Sequence, residues 1–398
     1  MIWKGGNPLR FGEITWGPFL LVQCIEAQPK LCTYQGETDM KKISQEGLIN
    51  KLKLLVNELI ILGVDVHKRS YHIAIWSIQR GLMTTLILPS SSAVLIKLIT
   101  PFKKHIAQIV YEAGPTGFGL VRDLRASGFK ADVIAPSRLP VLPGKQAKSD
   151  QKDCVNLSFL AANKLLQPIH IPSREEEAER QVMRLREQTI RKQRCIKQQI
   201  KSLLLQHGIE EPEGLENWSL KSLEVLRMLD LGEHLRFCLD TLLDELDWLK
   251  SQIATITKRI NALAKRERHK TQVEHLRSIP GVGLITAMTY RTELLAPHRF
   301  KDGGQVARII GLAPLVRQSG ETSRGGSLMK SGNWRIRSIL VEAAWRQIRS
   351  DEQAKKRFTR LLGNTGNNKK AIIGVARHLA ICMWRISTRN EPYRQKAA

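Results

Sequence analysis

Leu235, Leu239, Leu242, Leu246, Leu249, Ile253, Ile256, Ile260 and Leu263 follow one another in alternating steps of four and three. Such a series falls on a single stripe only if the backbone is helical, and its length, about four heptads, demands a long helix whose apolar edge is covered by another. The partner on offer is the charged stretch "REEEAERQVMRLREQTIRKQRCIKQQIKSLLLQHG", separated from the seam by "GIEEPEGLENWS". Two arrangements satisfy the pattern. Either the two helices close as a hairpin that spaces two domains within one chain, or the seam joins subunits. Residues 173–275 are therefore read as a coiled-coil linker.

Before the linker the period changes. "LIILGVDV", "YHIAIWSI" and "LMTTLIL" are short β-type runs divided by "HKRS" and a turn at Gly81, which predicts an antiparallel meander. "SSAVLIKLITPFKK" then has helical spacing, "IAQIVYEA" reads as a fourth strand, "GFGLVRDLRASG" as a helix closed by Gly128, and "KADVIA" as a fifth strand. Three antiparallel strands followed by alternating helices and strands is the connectivity of the RNase H-like fold, a mixed α/β layer. It is assigned to residues 57–172. Residues 276–398 look mostly helical, with helices separated by Gly-rich loops. Residues 1–56 show little periodicity and are read as an extension, with Met40 a candidate internal start codon.

The chain carries 63 Lys+Arg against 37 Asp+Glu, a formal charge of +26 spread along its length. That balance favours a polyanionic partner, nucleic acid first, over a small neutral substrate. No segment approaches the roughly 20 apolar residues that span a bilayer. The six cysteines form no CxxC pair or Cys/His cluster and read as reduced thiols of a cytosolic protein.

Against this basic background the acids stand out. Asp65 ends the first strand, on the face shared by Ile61, Gly63 and His67; Glu112 closes the fourth; Asp150 and Asp153 occupy the first turn of a helix in "SDQKDCVNLSFLAANKL". In an RNase H-like fold the first and fourth strands lie side by side and a later helix crosses their ends, so all four carboxylates converge. Carboxylate oxygens hold hard dications, normally magnesium (Mg2+), and paired ions stabilise the attacking and leaving oxygens of a phosphodiester displacement. Each acid also has a plainer explanation. Asp150 and Asp153 fit a helix N-cap with an acid at the third position, Glu112 fits a turn before "GPTG", and Asp65 fits a solvated strand end. His67 and Lys68 are placed to bracket a phosphate, but a polar turn after the strand is the safer reading. Joint occurrence, in order, favours the metal reading.

"GVDVHK", "YEAGPTG" and "KSDQKD" resemble the D, E, D and D motifs of the RuvC-like domain in transposases of the insertion sequence one-ten family. "LRSIPGVGLITA" and "IIGLAPLVRQSGETSRGGSLMKSGNWRIRSILVEAAW" resemble that family's C-terminal transposase domain. The resemblance covers about residues 58–385 and is nearest the subgroup of insertion sequence eleven-eleven. It implies an RNA-guided DNA recombinase that pairs a non-coding guide RNA with donor and target DNA. By motif match Ser319 is the nucleophile, and the acids of one subunit meet the serine of another in a dimer or tetramer. Arg317, Arg324 and Lys330 lie near Ser319 in sequence and are candidates to neutralise phosphate.

"IPGVG", with Gly281 and Gly283, resembles the turn of a helix-hairpin-helix module, whose backbone N–H groups receive a phosphate; a plain helix connection is the alternative. Gly325 and Gly326 permit close backbone approach, and Arg335, Arg337, Lys369, Lys370 and Arg377 form a group of candidate nucleic-acid contacts. Trp345 and Trp384 fall on apolar helix faces and read as core. Two other functions stay open: a RuvC-like nuclease that activates water, and a non-catalytic nucleic-acid-binding scaffold whose acids cap helices.

Overall fold

The computed structural model describes residues 44–140, 150–319, 322–329 and 331–394, with the backbone alone at 316–319 and 322–327. The extension before residue 44, Met40 included, and Lys330 lie outside the described residues. Contacts divide the chain into two units. The first runs to Ala131 and takes in the helix that starts at Asp150; the second holds most of the remainder.

In the first unit, α1 (Gln45–Leu52) falls within the stretch read as an extension and ends at Lys53 in a left-handed conformation. The three short β-type runs form β1 (Ile60–Val66), β2 (Ser70–Ser77) and β3 (Gly81–Pro89), an antiparallel meander. After α2 (Ser92–Ile99) the chain enters β4 (Ile106–Glu112), which lies parallel to β1, then α3 (Gly119–Ala126) and β5 (Ala131–Ile134). The sheet order is β3-β2-β1-β4-β5. This is the mixed α/β arrangement of the RNase H-like fold expected from the strand pattern. The central strand β1 is buried along Ile60–Val64, as a strand covered on both faces must be. Helix α4 (Asp150–Ala162) crosses it, with Phe159 edge-on to Trp76 at 5.5 Å.

The second unit is mostly helical. Helix α5 (Arg174–Gln206) begins with a capping box, Ser173 and Glu176 each bonding the other's backbone. After α6 (Leu220–Met228) it is met by α7 (Glu233–Ala264), so the apolar seam is covered within one chain. Ile196, Ile200 and Leu204 form one cluster with Leu239, Leu243, Leu246 and Leu249. Leu243 takes the buried place the heptad count gives to Leu242, which is half-buried. A straight helix of 3.6 residues per turn drifts off a strict seven-residue repeat, which moves the stripe by one position.

Helices α8 (Glu267–Arg277), α9 (Leu284–Leu294), α10 (Gly303–Ile310), α11 (Trp334–Ser350), α12 (Glu352–Thr365) and α13 (Asn368–Arg389) pack around one core that includes Met288, Ile310, Leu340, Leu379 and Met383. One departure from the sequence reading is β6 (Pro314–Ser319) with β7 (Thr322–Leu328), an antiparallel pair where Gly-rich loops were expected. No described helix is long and apolar enough to cross a membrane.

A buried acid ties three helices of this unit together. Glu293 of α9 accepts from Arg184 of α5 at 2.7 and 3.0 Å and from Asn333, the N-cap of α11, at 2.8 Å. Burial alone raises a carboxyl pKa, yet the Arg184 bonds and charge, helped by Asn333 and Arg180, hold Glu293 below the ordinary range. A depressed folded pKa means stability that is complete above the unfolded value and lost as pH falls through the folded one. Glu293→Gln is expected to cost about 2–3 kcal/mol at neutral pH, less than a fully buried pair because Arg184 stays partly exposed. Denaturant melts check this, and the gap between the two proteins narrows below about pH 4.

Candidate metal centre

Gly63 sets the geometry of the first unit's acidic site. A Cβ at this position would lie 2.2 Å from the Cys154 carbonyl oxygen and 2.6 Å from the Ser158 amide nitrogen. The backbone of α4 therefore rests directly on β1, two residues before Asp65. One turn back along α4 from Cys154 stands Asp150, and Gln151 beside it donates to Thr85 Oγ1 of β3 at 3.0 Å, pinning the start of the helix to the sheet. In the parallel β1/β4 ladder Val64 pairs with Tyr111, so Glu112 follows at the level of Asp65. All four predicted acids thus belong to adjoining ends of β1, β4 and α4.

The side chains draw together unequally. Asp65, His67 and Asp150 each place one ligand atom within 4.8 Å of the others. His67 Nε2 is 3.0 Å from Asp65 Oδ2 and 3.4 Å from Asp150 Oδ2. His72, directly across the ladder from Asp65, brings its Nε2 to 3.9 Å from the same Asp150 oxygen. Glu112 and Asp153 stand beside this group without joining it at that distance. Asp153 is nonetheless close enough to act on Cys154, whose thiol is pushed up to about 12, first by burial, then by the Asp65 charge, with Asp153 adding. Two carboxylates and an imidazole are a donor set that fits a dication. Sequence reasoning had His67 as a turn residue and missed His72; the signal for both was the β1–β2 register, which returns the second histidine to Asp65.

In the second unit, Ser319 ends β6 and pairs with Thr322, while Arg317 stands opposite Arg324 and Val316 opposite Gly325. Gly281 has φ of +85° and sits so close to α11 that a Cβ would be 2.7 Å from Gln347 N. Its absence of a side chain is already required by helix packing. Gly283 is the N-cap of α9 and has open space around its Cβ position. Arg335 bonds Glu187 at 2.9 Å and stacks on Trp334, whose ring Arg191 also covers at 4.3 Å. Arg337 donates to the Gly311 carbonyl at 3.4 Å. The fold itself engages both arginines. Trp384 is half-buried and donates to the Pro297 carbonyl, while Trp345 lies at the surface against Phe358.

Residues 62–209 match the DEDD IS110 family model, described as "Transposase", and residues 273–359 match the model described as "Transposase IS116/IS110/IS902 family". The chain belongs to the IS110 transposase family. The two matches cover the acids and the Ser319 hairpin respectively. Among similar proteins, "Putative transposase y4qE" of Sinorhizobium fredii is 32% identical over 269 residues, 67% of this chain and 65% of that protein. This chain thus spans just under two thirds of that relative. "Transposase for insertion sequence element IS1111A" of Coxiella burnetii is 21% identical over 353 residues, 87% of this chain and 95% of that one. The solved T. thermophilus RuvC, in complex with a Holliday junction substrate, aligns at 9% identity with a TM-score of 0.22, covering 28% of this chain and 99% of its own. At that score the likeness carries no argument, and the strand order stands on its own.

For this IS110 chain, Gly63→Ala tests the positioning role. The added methyl meets backbone and forces α4 outward, so a loss of about 1–3 kcal/mol in denaturant melts is expected. Unchanged stability would mean α4 does not rest on β1.

Proposed function

We propose that the protein is an RNA-guided DNA transposase that cleaves and rejoins strands through Ser319, assisted by divalent cations held by Asp65, Glu112, Asp150 and Asp153. The observation that carries the reading is the approach of Asp65 and Asp150 across the β1–α4 contact, in a chain of charge +26 that belongs to a transposase family. Asp65 and the exposed Asp150 lie close together beside His67, and acids so placed in a basic protein repel a nucleic-acid partner unless a cation joins them. Mg2+ is the ion the resemblance implies; when bound, it would polarise the scissile phosphate and balance charge on the attacking and leaving oxygens.

The chain's own residues do the rest. The Ser319 hydroxyl loses its proton and attacks phosphorus; an Oγ–P bond forms, the P–O bond to the neighbouring deoxyribose breaks, and the departing oxygen takes up a proton as a free hydroxyl. Attack by a different hydroxyl reverses the step and restores the serine. No nucleotide energy is needed, because each new phosphoester replaces an old one. Arg317 and Arg324 are backbone partners in the β6–β7 ladder that ends at Ser319, and two cationic residues at that place suit a phosphate. Donor and target DNA are the proposed substrates and a non-coding RNA the guide. The protein acts as a dimer or tetramer, with exposed Phe237, Trp248 and Met228 on the second unit as candidate contacts. A nuclease that activates water instead of serine rests on the same acids.

The test uses the full chain with its element's RNA, labelled donor and target DNA, and Mg2+. A covalent protein–DNA adduct on a denaturing gel is expected for the wild type and lost in Ser319→Ala and Asp65→Ala. Cleavage that persists in Ser319→Ala without an adduct would select the water-activating nuclease. Calorimetric titration with a dication provides a second check: Asp65→Asn and Asp150→Asn are each expected to weaken binding by at least about tenfold.

A further inference from the structure

We propose that His67 is an inner ligand of the metal centre, binding through Nε2 between Asp65 and Asp150, and that this nitrogen tunes the site towards Mn2+ over Mg2+. The inference rests on the divalent-cation reading above and goes beyond the all-carboxylate set that the motifs imply.

Three observations support it. The first is spacing. Bonds of about 2.1 Å to one ion place neighbouring ligand atoms about 3.0 Å apart at right angles and about 3.4 Å apart at tetrahedral angles. His67 Nε2 lies 3.0 Å from one carboxylate oxygen and 3.4 Å from the other. With His67 protonated, ion pairs to the two acids give these same distances; a bound dication takes the place of that proton at Nε2.

Charge is the second. An imidazole adds a donor atom beside the acids without adding to their mutual repulsion. The third is placement. Asp65 and His67 are two residues apart at the end of β1, and strand alternation sends them to the same face, so the imidazole arrives at the site from the element that delivers the first carboxylate. His72 stands edge-on to His67, ring centroids 5.5 Å apart at 74°, and its nitrogen is farther from Asp150, at 3.9 Å. It backs the first imidazole and is the control for it.

The chemical consequence follows from ligand preference. Mg2+ takes oxygen donors almost exclusively and gives up water reluctantly, whereas Mn2+ accepts imidazole beside carboxylate in the same octahedral shell. Replacing an oxygen by a nitrogen at the inner position therefore moves selectivity between the two ions and leaves phosphate chemistry available to either.

The experiment titrates Mn2+ alone into the full-length protein and records electron spin echo modulation from nitrogen-14 bonded to the ion. It is done for wild type, His67→Ala, His67→Asp and His72→Ala, each checked for folding by circular dichroism. The expected result is imidazole modulation in wild type and His72→Ala, absent in both His67 variants while Mn2+ remains bound. Calorimetry is expected to show the ratio of Mn2+ to Mg2+ affinity falling by about tenfold in His67→Asp. Mn2+ bound to wild type without nitrogen modulation overturns this inference and leaves the cation reading standing. Modulation that survives in the His67 variants, or disappears only in His72→Ala, overturns it too. Failure of wild type to bind Mn2+ or Mg2+ at all sinks the cation reading, and this inference with it.

Discussion

The contact between the backbone of α4 and Gly63 is the constraint on which the acidic site depends. A β-branched residue at this position, the usual filling of a central strand, would hold the helix off the sheet and carry Asp150 away from Asp65. Glycine gives up side-chain burial, and the rest of β1 compensates with Ile60, Ile61, Leu62 and Val64, all buried. A core strand thus delivers a charged residue at its end, because the helix above it is seated by backbone contact and fastened at its first turn by Gln151 to Thr85. Placement of this kind keeps Asp65, His67 and Asp150 within reach of one another.

The second unit uses a comparable economy. Its long α5 is anchored to α9 and α11 through Glu293, and again through Glu187 to Arg335. The cap of α11, Asn333, is part of the first anchor and follows closely on the β6–β7 hairpin that carries Ser319. Basic residues that sequence alone marks for nucleic acid turn out to serve this packing. Arg335 is held by an acid and a tryptophan, and Arg337 by a carbonyl. In a chain so rich in cations, the number of positive charges says that a polyanion is near. It does not say which cations meet it.

Much of the architecture was legible in the sequence, for identifiable reasons. Short apolar runs at β1 to β3, divided by a polar turn and by Gly81, predict a meander, and the acids at the ends of β1 and β4 meet through the topology. The heptad seam announced α7, though its burial passes from Leu242 to Leu243 because helical and heptad periods differ. What stayed hidden had no periodic signature. The β6–β7 hairpin is built from arginine, glutamine, serine and glycine, with few apolar residues to alternate. His67 looked like a turn residue since its partners are Asp65, two positions away, and Asp150, more than eighty positions on. The histidine pair becomes visible only when the β1–β2 register sets His72 against Asp65.

The central claim is that Asp65 and Asp150 close around one divalent cation at the foot of α4. Anomalous diffraction from crystals of the full chain soaked in Mn2+ tests it most directly. The account predicts an anomalous peak about 2.1–2.3 Å from one oxygen of each aspartate. No peak at that position in fully soaked crystals, with the two carboxylates turned apart into solvent, would contradict it.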